Sequence, residues 1–227
     1  MTLNRTMQLF ARWHVWLGWL VGFPILMWTI TGLVMVARPI ETVRGEGLQA
    51  KPAQVDPAGL VFPALTARLE SARLVQQPDG PVWIVTEQGG GQYRYSAKDG
   101  SAISPVIETD ARLLALATYA GEGTLETIKY FPADLAPLDL RRKADSWQAH
   151  FTDGTNIYLD DKTGEVLAFR TRWWRVYDVM WGLHIMDLQT REDTSHPVLI
   201  VFAALAAVGA AIGCTLLFRR RKARPKA

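Results

Sequence analysis

Two long apolar stretches near the ends of the chain constrain its fold more than any other feature. Residues 13–37 contain one acidic, basic or histidine side chain, His14, and residues 198–218 contain none. At about 1.5 Å per residue, each stretch would cross the roughly 30 Å of hydrocarbon in a bilayer as a helix. The sequence therefore predicts two transmembrane helices on either side of a polar central domain.

The composition excludes several other classes of protein. Of 227 residues, 49% are hydrophobic and 21% are charged, and the mean hydropathy is +0.04. A polytopic membrane protein is far more apolar, and a disordered chain is far less so. The net charge of +3 comes with no basic stripe in the middle of the chain, so nucleic-acid binding is not expected. The only cysteine, Cys214, lies in the second apolar stretch, so the central domain has no disulfide.

Basic residues predict the orientation in the membrane. Lysine and arginine remain on the cytoplasmic side of spanning helices. Arg5 and Arg12 precede the first helix, and six basic residues that follow the second outweigh Arg38 and Arg44. Those six are Arg219, Arg220, Arg221, Lys222, Arg224 and Lys226. We expect both termini inside and residues 38–195 outside, with the first helix kept as an anchor because no cleavage site follows it.

The central residues alternate between helical and strand patterns. Apolar residues at Phe62, Leu65, Leu69 and Ala72 predict a helix, and a hairpin of residues 82–87 and 93–95 follows around a glycine turn at 89–91. Asp110 is predicted to cap a second helix over 113–120. Strands are expected at 125–130, 147–151, 156–159 and 165–170, with a tight turn at 161–164. The predicted fold class is α+β, with two units that each consist of a helix and an antiparallel hairpin.

Three stretches resemble one family. TNIYLDDKTGEVL at 155–167 is similar to the terminal hairpin of PepSY domains. RWHVWLGWLVGFPILMWTITGLVM at 12–35 and VYDVMWGLHIMDL at 176–188 resemble the first helix and the Leu-His segment of PepSY-associated membrane proteins. The resemblance implies two PepSY-like units in the periplasm, anchored in a bacterial inner membrane. This chain has two spans where larger relatives have about four, and it has no nucleotide-binding glycine motif.

The resemblance also implies a function. Several members of the family are linked to ferric-siderophore reduction, with haem b held by membrane histidines. We therefore expect a haem b electron-transfer component of a periplasmic reduction or iron-acquisition system, working in the bilayer with a protein partner or as a homodimer. The alternative is a cofactor-free, membrane-anchored module that binds or regulates a protein such as a protease. An exposed edge strand is able to pair with an extended peptide of such a partner.

These patterns divide the chain into seven segments. They are a cytoplasmic lead (1–12), helix 1 (13–37), a linker (38–59), a PepSY-like domain (60–172), an amphipathic interfacial segment (173–196), helix 2 (197–218) and a basic tail (219–227). Within the linker, residues 44–59 are expected to have little structure of their own.

His14 is the first candidate cofactor ligand. His14, Gly18 and Gly22 lie at i, i+4 and i+8 on one helix face, which leaves room beside the imidazole for a flat macrocycle. A ligand histidine needs a bond from its other nitrogen, and the neighbours Ala11 and Leu17 cannot supply one, so a carbonyl, a water or a partner must. The alternatives are an interfacial histidine and, for Gly18/Gly22 and Gly209/Gly213, small-residue motifs for helix packing.

His184 and His196 are the other candidates, twelve residues apart on the outer side. They are expected to ligate one haem or metal together, or else to be an interfacial residue and a helix-start residue. His14 lies about 30 Å away across the membrane, so its second haem ligand must come from a second copy or a partner. His150 is expected to be a surface or packing residue of a strand. No hydrolytic motif is present, and turn chemistry accounts for Asp160, Asp161 and Glu165.

Overall fold

The computed structural model describes residues 3–51 and 53–222, with side chains described over 5–51 and 53–218. Of the predicted basic tail, Arg224 and Lys226 lie outside the described residues, and so do the side chains of 219–222. The chain divides into two units. A helical unit takes the described parts of 1–39 and 176–227, and a central unit takes 40–175.

The helical unit contains the two apolar helices. Helix α1 covers Leu3–Val36, with Pro24 inside it, and the last helix, α5, covers Pro197–Lys222. Two segments, Arg5–Val36 and Pro197–Phe218, are long and apolar enough to cross a membrane, with mean hydropathies of 1.9 and 2.4. Only 17% and 6% of their most apolar windows are buried, so neither helix is the core of a globular domain. Uncovered apolar surface of this extent is typical of contact with lipid.

The two apolar helices pack against each other in opposite directions. Near the start of α1, Leu17 faces Gly209 of α5; further along α1, Trp28 lines a groove together with Leu199 near the start of α5. Residue numbers therefore increase along one helix in the direction in which they decrease along the other, so the two helices are antiparallel. The third helix of this unit is the C-terminal part of α4, which covers Arg172–His184; the short helix α2 covers Ile40–Arg44 and belongs to the central unit.

The first half of the central unit is an antiparallel sheet of four strands in sequence order. These are β1 (Leu69–Gln77), β2 (Gly80–Glu87), β3 (Gln92–Ser96) and β4 (Ala102–Ile103). The hairpin around residues 89–91 is confirmed, but the helix predicted over 62–72 is wrong. Ala72 and Leu74 instead pair with Val85 and Trp83 of β2. The tight turn at residues 78–79 brings β1 beside β2, and the ladder between them satisfies the backbone hydrogen bonds of β1. Four apolar residues at helical spacing do not outweigh these bonds.

The second half contains a helix and a second antiparallel sheet. Helix α3 covers Glu108–Thr118, and the strands are β5 (Leu125–Phe131), β6 (Ser146–Phe151), β7 (Asn156–Asp160) and β8 (Val166–Arg170), again in sequence order. All four predicted strands are confirmed. Leu114 of α3 is buried in one core with Phe151 and Ile157, and each such side chain contributes about 1.5–3 kcal/mol.

Two local predictions need correction. Helix α3 begins two residues before Asp110, after Ile107 at the cap position, so Asp110 is in the first turn. Its carboxylate lies 3.5 Å from the guanidinium of Arg94, where it also complements the helix dipole. The linker predicted over 44–59 is structured at its start. A 3₁₀ turn covers Glu46–Leu48, and the amide of Ala50 donates to the carbonyl of Thr118 at 2.8 Å.

The start and the end of the central unit are bonded to each other. The hydroxyl of Thr171, buried at the start of α4, donates to the carbonyl of Val43 at 3.0 Å and accepts from the amide of Trp174 at 2.9 Å. Gly45 has φ +69°, and a Cβ there would lie 2.5 Å from the Thr171 methyl carbon. The architecture is thus mixed α+β with two antiparallel four-stranded sheets and two apolar terminal helices. In the described part of the central unit, only the five-residue α2 and a 3₁₀ turn precede the first sheet, whereas the eleven-residue α3 precedes the second.

Candidate functional site

His14 lies half-buried where α1 meets α5. Its Nδ1 is 3.1 Å from the carbonyl oxygen of Gly209. A carbonyl oxygen only accepts, so Nδ1 carries a proton, and in the neutral imidazole the lone pair is then on Nε2. Of the three partners that the sequence left open for this nitrogen, a carbonyl, a water or a partner protein, the structure has a carbonyl of α5.

Small residues of α5 make the space for this ring. A Cβ on Gly213 would lie 2.7 Å from Cε1 of His14, and a Cβ on Gly209 would lie 3.7 Å from Cβ of Leu17. The predicted packing role of Gly209 and Gly213 is therefore confirmed. Gly18 and Gly22 do not have this role against α5, because an added Cβ at either position would have no described atom within 4 Å.

His184, the last residue of α4, contacts α1 near its C-terminal end. Its Nδ1 is 2.9 Å from the hydroxyl oxygen of Thr31, and Cε1 would lie 3.7 Å from a Cβ on Gly32. The Thr31 hydroxyl donates to the carbonyl of Met27 at 2.8 Å, so it accepts from His184, and Nε2 again has the free lone pair. Two of the stretches that carry the family resemblance, Thr31-Gly32 and Leu183-His184, meet at this point.

A loop after α4 fixes the position of His184. A Cβ on Gly182 would lie 2.8 Å from Cγ of Arg191, so only glycine lets the loop approach the helix this closely. The guanidinium of Arg191 is bonded to the carboxylate of Asp178, and the backbone carbonyl of Arg191 accepts from the indole of Trp181 at 3.1 Å. These positioning residues were not predicted from the sequence, although the glycine directly before Leu183-His184 marks the close approach.

Asp187 organises the same loop. Its carboxylate accepts from the backbone amides of four residues at 3.0–3.2 Å and also from the hydroxyl of Thr190; the four are Gln189, Thr190, Glu192 and Asp193. The bond from the Thr190 hydroxyl, followed by those from the amides, holds the pKa of Asp187 far below its ordinary value of 3.8 against the opposing effect of burial. Asp187 is therefore a structural anion.

His14 and His184 are too far apart to share one cofactor. Thr31, which binds His184, follows His14 by 17 residues on α1, or about 26 Å. Nδ1 of His196 is buried and has no hydrogen-bond partner among the described residues. In the described part of the chain, no three His, Cys, Asp or Glu side chains come together as a metal site.

The remaining predictions concern the central unit. His150 is on β6, 39% exposed, with Nδ1 2.6 Å from the amide oxygen of Asn156, so its role as a surface and packing residue is confirmed. Asp160 accepts from the amide and hydroxyl of Thr163 at 2.7 and 3.0 Å, as turn chemistry requires. Glu165 pairs with Arg73 at 2.8 Å across the two sheets.

Arg94 is a buried cation that was not predicted from the sequence. It lies in a strand where residues alternate between two faces, and the alternation alone does not say which face is buried. It is 4% exposed and donates to the side chain of Gln77 at 3.1 Å and to the carbonyl of Ser104 at 2.7 Å. Burial lowers the pKa of its guanidinium, and nearby Asp110 partly offsets this. These bonds join β3 to β1 and to the segment that leads into α3.

No family model, curated protein or solved structure matches this chain. The functional conclusion therefore rests on the residues and their geometry.

Proposed function

We propose that this chain is a small PepSY-associated membrane protein of a bacterial inner membrane that binds haem b through His14. In this proposal it transfers electrons to a periplasmic acceptor in a reduction or iron-acquisition system. The observation that carries the proposal is the bond from His14 Nδ1 to the Gly209 carbonyl, which leaves Nε2 as a fixed, neutral ligand nitrogen inside an apolar helix pair.

The residues around His14 fit one side of a haem. A haem ligand is a neutral imidazole with its other nitrogen bonded, and Gly209 and Gly213 provide that bond and the room for the ring. Bound haem would supply one-electron transfer at its iron. The protein would hold the imidazole in one tautomer and keep water away from it. An uncompensated charge at this depth is costly, which favours a neutral ligand.

The second ligand has to come from outside the chain. His184 is about 26 Å away along the helix, and no other histidine of the described part is near His14. A second copy would place two His14 side chains on one iron, whereas a partner protein would bring its own ligand. These arrangements differ in stoichiometry: one haem for two chains in the first, and one haem for each chain in the second.

The test is a reduced-minus-oxidised visible spectrum of the full chain, purified from a host with ample haem and its natural partners. We expect the bands of a b-type haem. His14→Ala should abolish them, while the matched variant His150→Ala, which removes a histidine from the central unit, should retain them. A full haem content in His14→Ala, or a wild-type chain without haem under these conditions, would contradict the proposal.

One observation favours the alternative of a cofactor-free module. Strand β1 has nine residues, pairs with β2 on one side only and is largely exposed. Such an edge offers unpaired backbone groups to an extended peptide. If the spectrum shows no haem, protection of β1 amides from hydrogen exchange on mixing with a periplasmic extract would support this function; unchanged exchange would oppose it.

A further inference from the structure

A groove in the helical unit lies beside His184. It has a volume of about 460 Å³ and is lined by Trp28 of α1, Trp181, His184 and Ile185 at the end of α4, Thr194 of the loop, and Leu199 of α5. A volume in this range holds a small ring-shaped ligand. Apart from the indole and imidazole nitrogens and the hydroxyl of Thr194, the lining side chains are apolar.

One buried polar group of this groove has no partner in the described structure. The indole Nε1–H of Trp28 is buried and donates to no described atom. The other indole of the groove, that of Trp181, already donates to the carbonyl of Arg191. Because a buried donor without an acceptor costs about 1–3 kcal/mol, an acceptor oxygen from a ligand would be strongly favoured at Trp28.

His184 supplies the complementary group. Its Nδ1–H is committed to Thr31, whose own proton goes to Met27, so Nε2 is left as an acceptor. Gly182, Arg191 and Asp187 hold the loop and helix end that carry it. The groove thus presents one fixed donor and one fixed acceptor on an otherwise apolar, aromatic surface.

The depth of the groove indicates where its ligand comes from. Trp28 is eight residues before the end of α1, or about 12 Å, and Leu199 is the third residue of α5. In a spanning helix pair, this places the groove in the hydrocarbon near one surface. A ligand that reaches it from the bilayer is apolar overall and carries its polar atoms on a compact head.

We propose that this groove binds the ring of a membrane quinol or quinone. A ring oxygen would accept from Trp28 Nε1–H, and in the reduced form the opposite hydroxyl would donate to His184 Nε2. The two indoles would flank the ring, and its tail would extend into lipid. An acyl chain would leave both polar groups unpartnered, and haem ligated by His184 would use Nε2 but not require the indole proton. The proposal concerns binding only and does not depend on haem at His14.

The test uses the full chain in lipid nanodiscs, prepared without haem, and a short-tailed benzoquinone in its oxidised and reduced forms. Calorimetry should give saturable binding. Trp28→Phe removes only the donor and should weaken binding of both forms about tenfold. The matched control Trp16→Phe, at an indole on the opposite end of α1 that is 71% exposed, should bind as the wild type does.

A second measurement protects the test against variants that do not fold. The ¹⁵N resonance of His184 Nε2 in the wild-type chain should shift on addition of quinol, by formation of a hydrogen bond, and much less with quinone. Absence of saturable binding, equal binding by Trp28→Phe and wild type, or no shift at His184 would each overturn the proposal. Loss of a haem spectrum in His184→Ala, with quinone binding unchanged, would assign His184 to haem instead.

Discussion

At the scale of single residues, Gly164 in the turn between β7 and β8 is a position that tolerates a side chain poorly. Its φ is +69°, and a Cβ would lie 2.8 Å from Cδ1 of Leu114 on α3. The sequence predicted this turn and its glycine, because the D-K-T-G pattern is a local one. The contact with α3 was not predictable, since it depends on how the helix packs over the sheet.

Replacing Gly164 should therefore destabilise the central unit. We expect Gly164→Val to lower its free energy of unfolding by about 1–3 kcal/mol, from backbone strain and from the clash with Leu114. Hydrogen exchange of the β7 and β8 amides in the full chain would measure the loss. Gly47→Ala is the control, because that position has open space around it and should change stability by less than about 0.5 kcal/mol. Equal stability of Gly164→Val and wild type would contradict the account of the turn.

Asp187 gives a pH-dependent prediction. Its pKa is lowered in the folded state, so its bonds contribute fully above the ordinary value of 3.8 and are lost as the pH falls below it. Protection of the amides of residues 189–193 from hydrogen exchange should be constant from pH 7 to 5. Below 3.8 it should fall by up to about tenfold for each pH unit, because opening takes up one proton. Asp187→Asn, which does not titrate, should lack this dependence; the same dependence in Asp187→Asn would assign it to another group.

At the scale of elements, the strands were predicted better than the helices. The four strands of the second sheet follow local alternation and turn residues, and the structure retains them. The periodic set from Phe62 to Ala72 indicated a helix, but β1 forms because β2 is only two residues further along the chain. Arg94 shows the limit of patterns: its partners Gln77, Ser104 and Asp110 come together only after β1, β3 and α3 have packed.

Thr171 provides the test at this scale, because it ties β8 and α4 to α2. Thr171→Val keeps the shape of the side chain but removes the cap on Trp174 and the bond to Val43. We expect a loss of about 1–3 kcal/mol, since a carbonyl and an amide lose their partner in a buried place. Urea unfolding of the full chain in micelles would measure it. Thr171→Ser keeps the hydroxyl and should lose less than half as much; a larger loss in the serine variant would show that the methyl group matters more.

At the scale of the whole molecule, the candidate site depends on the pairing of distant segments. The sequence predicted that a carbonyl, a water or a partner must bond the second nitrogen of His14, but it could not say which. Gly209 is 195 residues away and becomes the acceptor only through the antiparallel register of α1 and α5. The packing of the end of α4 against α1 likewise places Thr31 beside His184, 153 residues apart. Spacing along α1 suggested Gly18 and Gly22 as the residues that leave room beside His14. Their surroundings depend on the neighbouring helix and cannot be read from α1 alone.

The antiparallel pair also leads to a prediction of membrane orientation. Because α1 and α5 run in opposite directions, both termini are at one end of the pair, and the chain leaves for residues 40–175 and returns at the other. The six basic residues over 219–226 predict that both termini are in the cytoplasm. A protease of broad specificity added to intact spheroplasts should therefore cut at the exposed, irregular residues 53–57 and leave tags at both termini uncut. The start of the predicted linker should resist, because the amides of Ala50 and Ala120 are bonded to the carbonyls of Thr118 and Leu48. A C-terminal tag that is removed from outside while the spheroplasts remain intact would reverse this orientation, and it would move His14 to the outer side of the membrane.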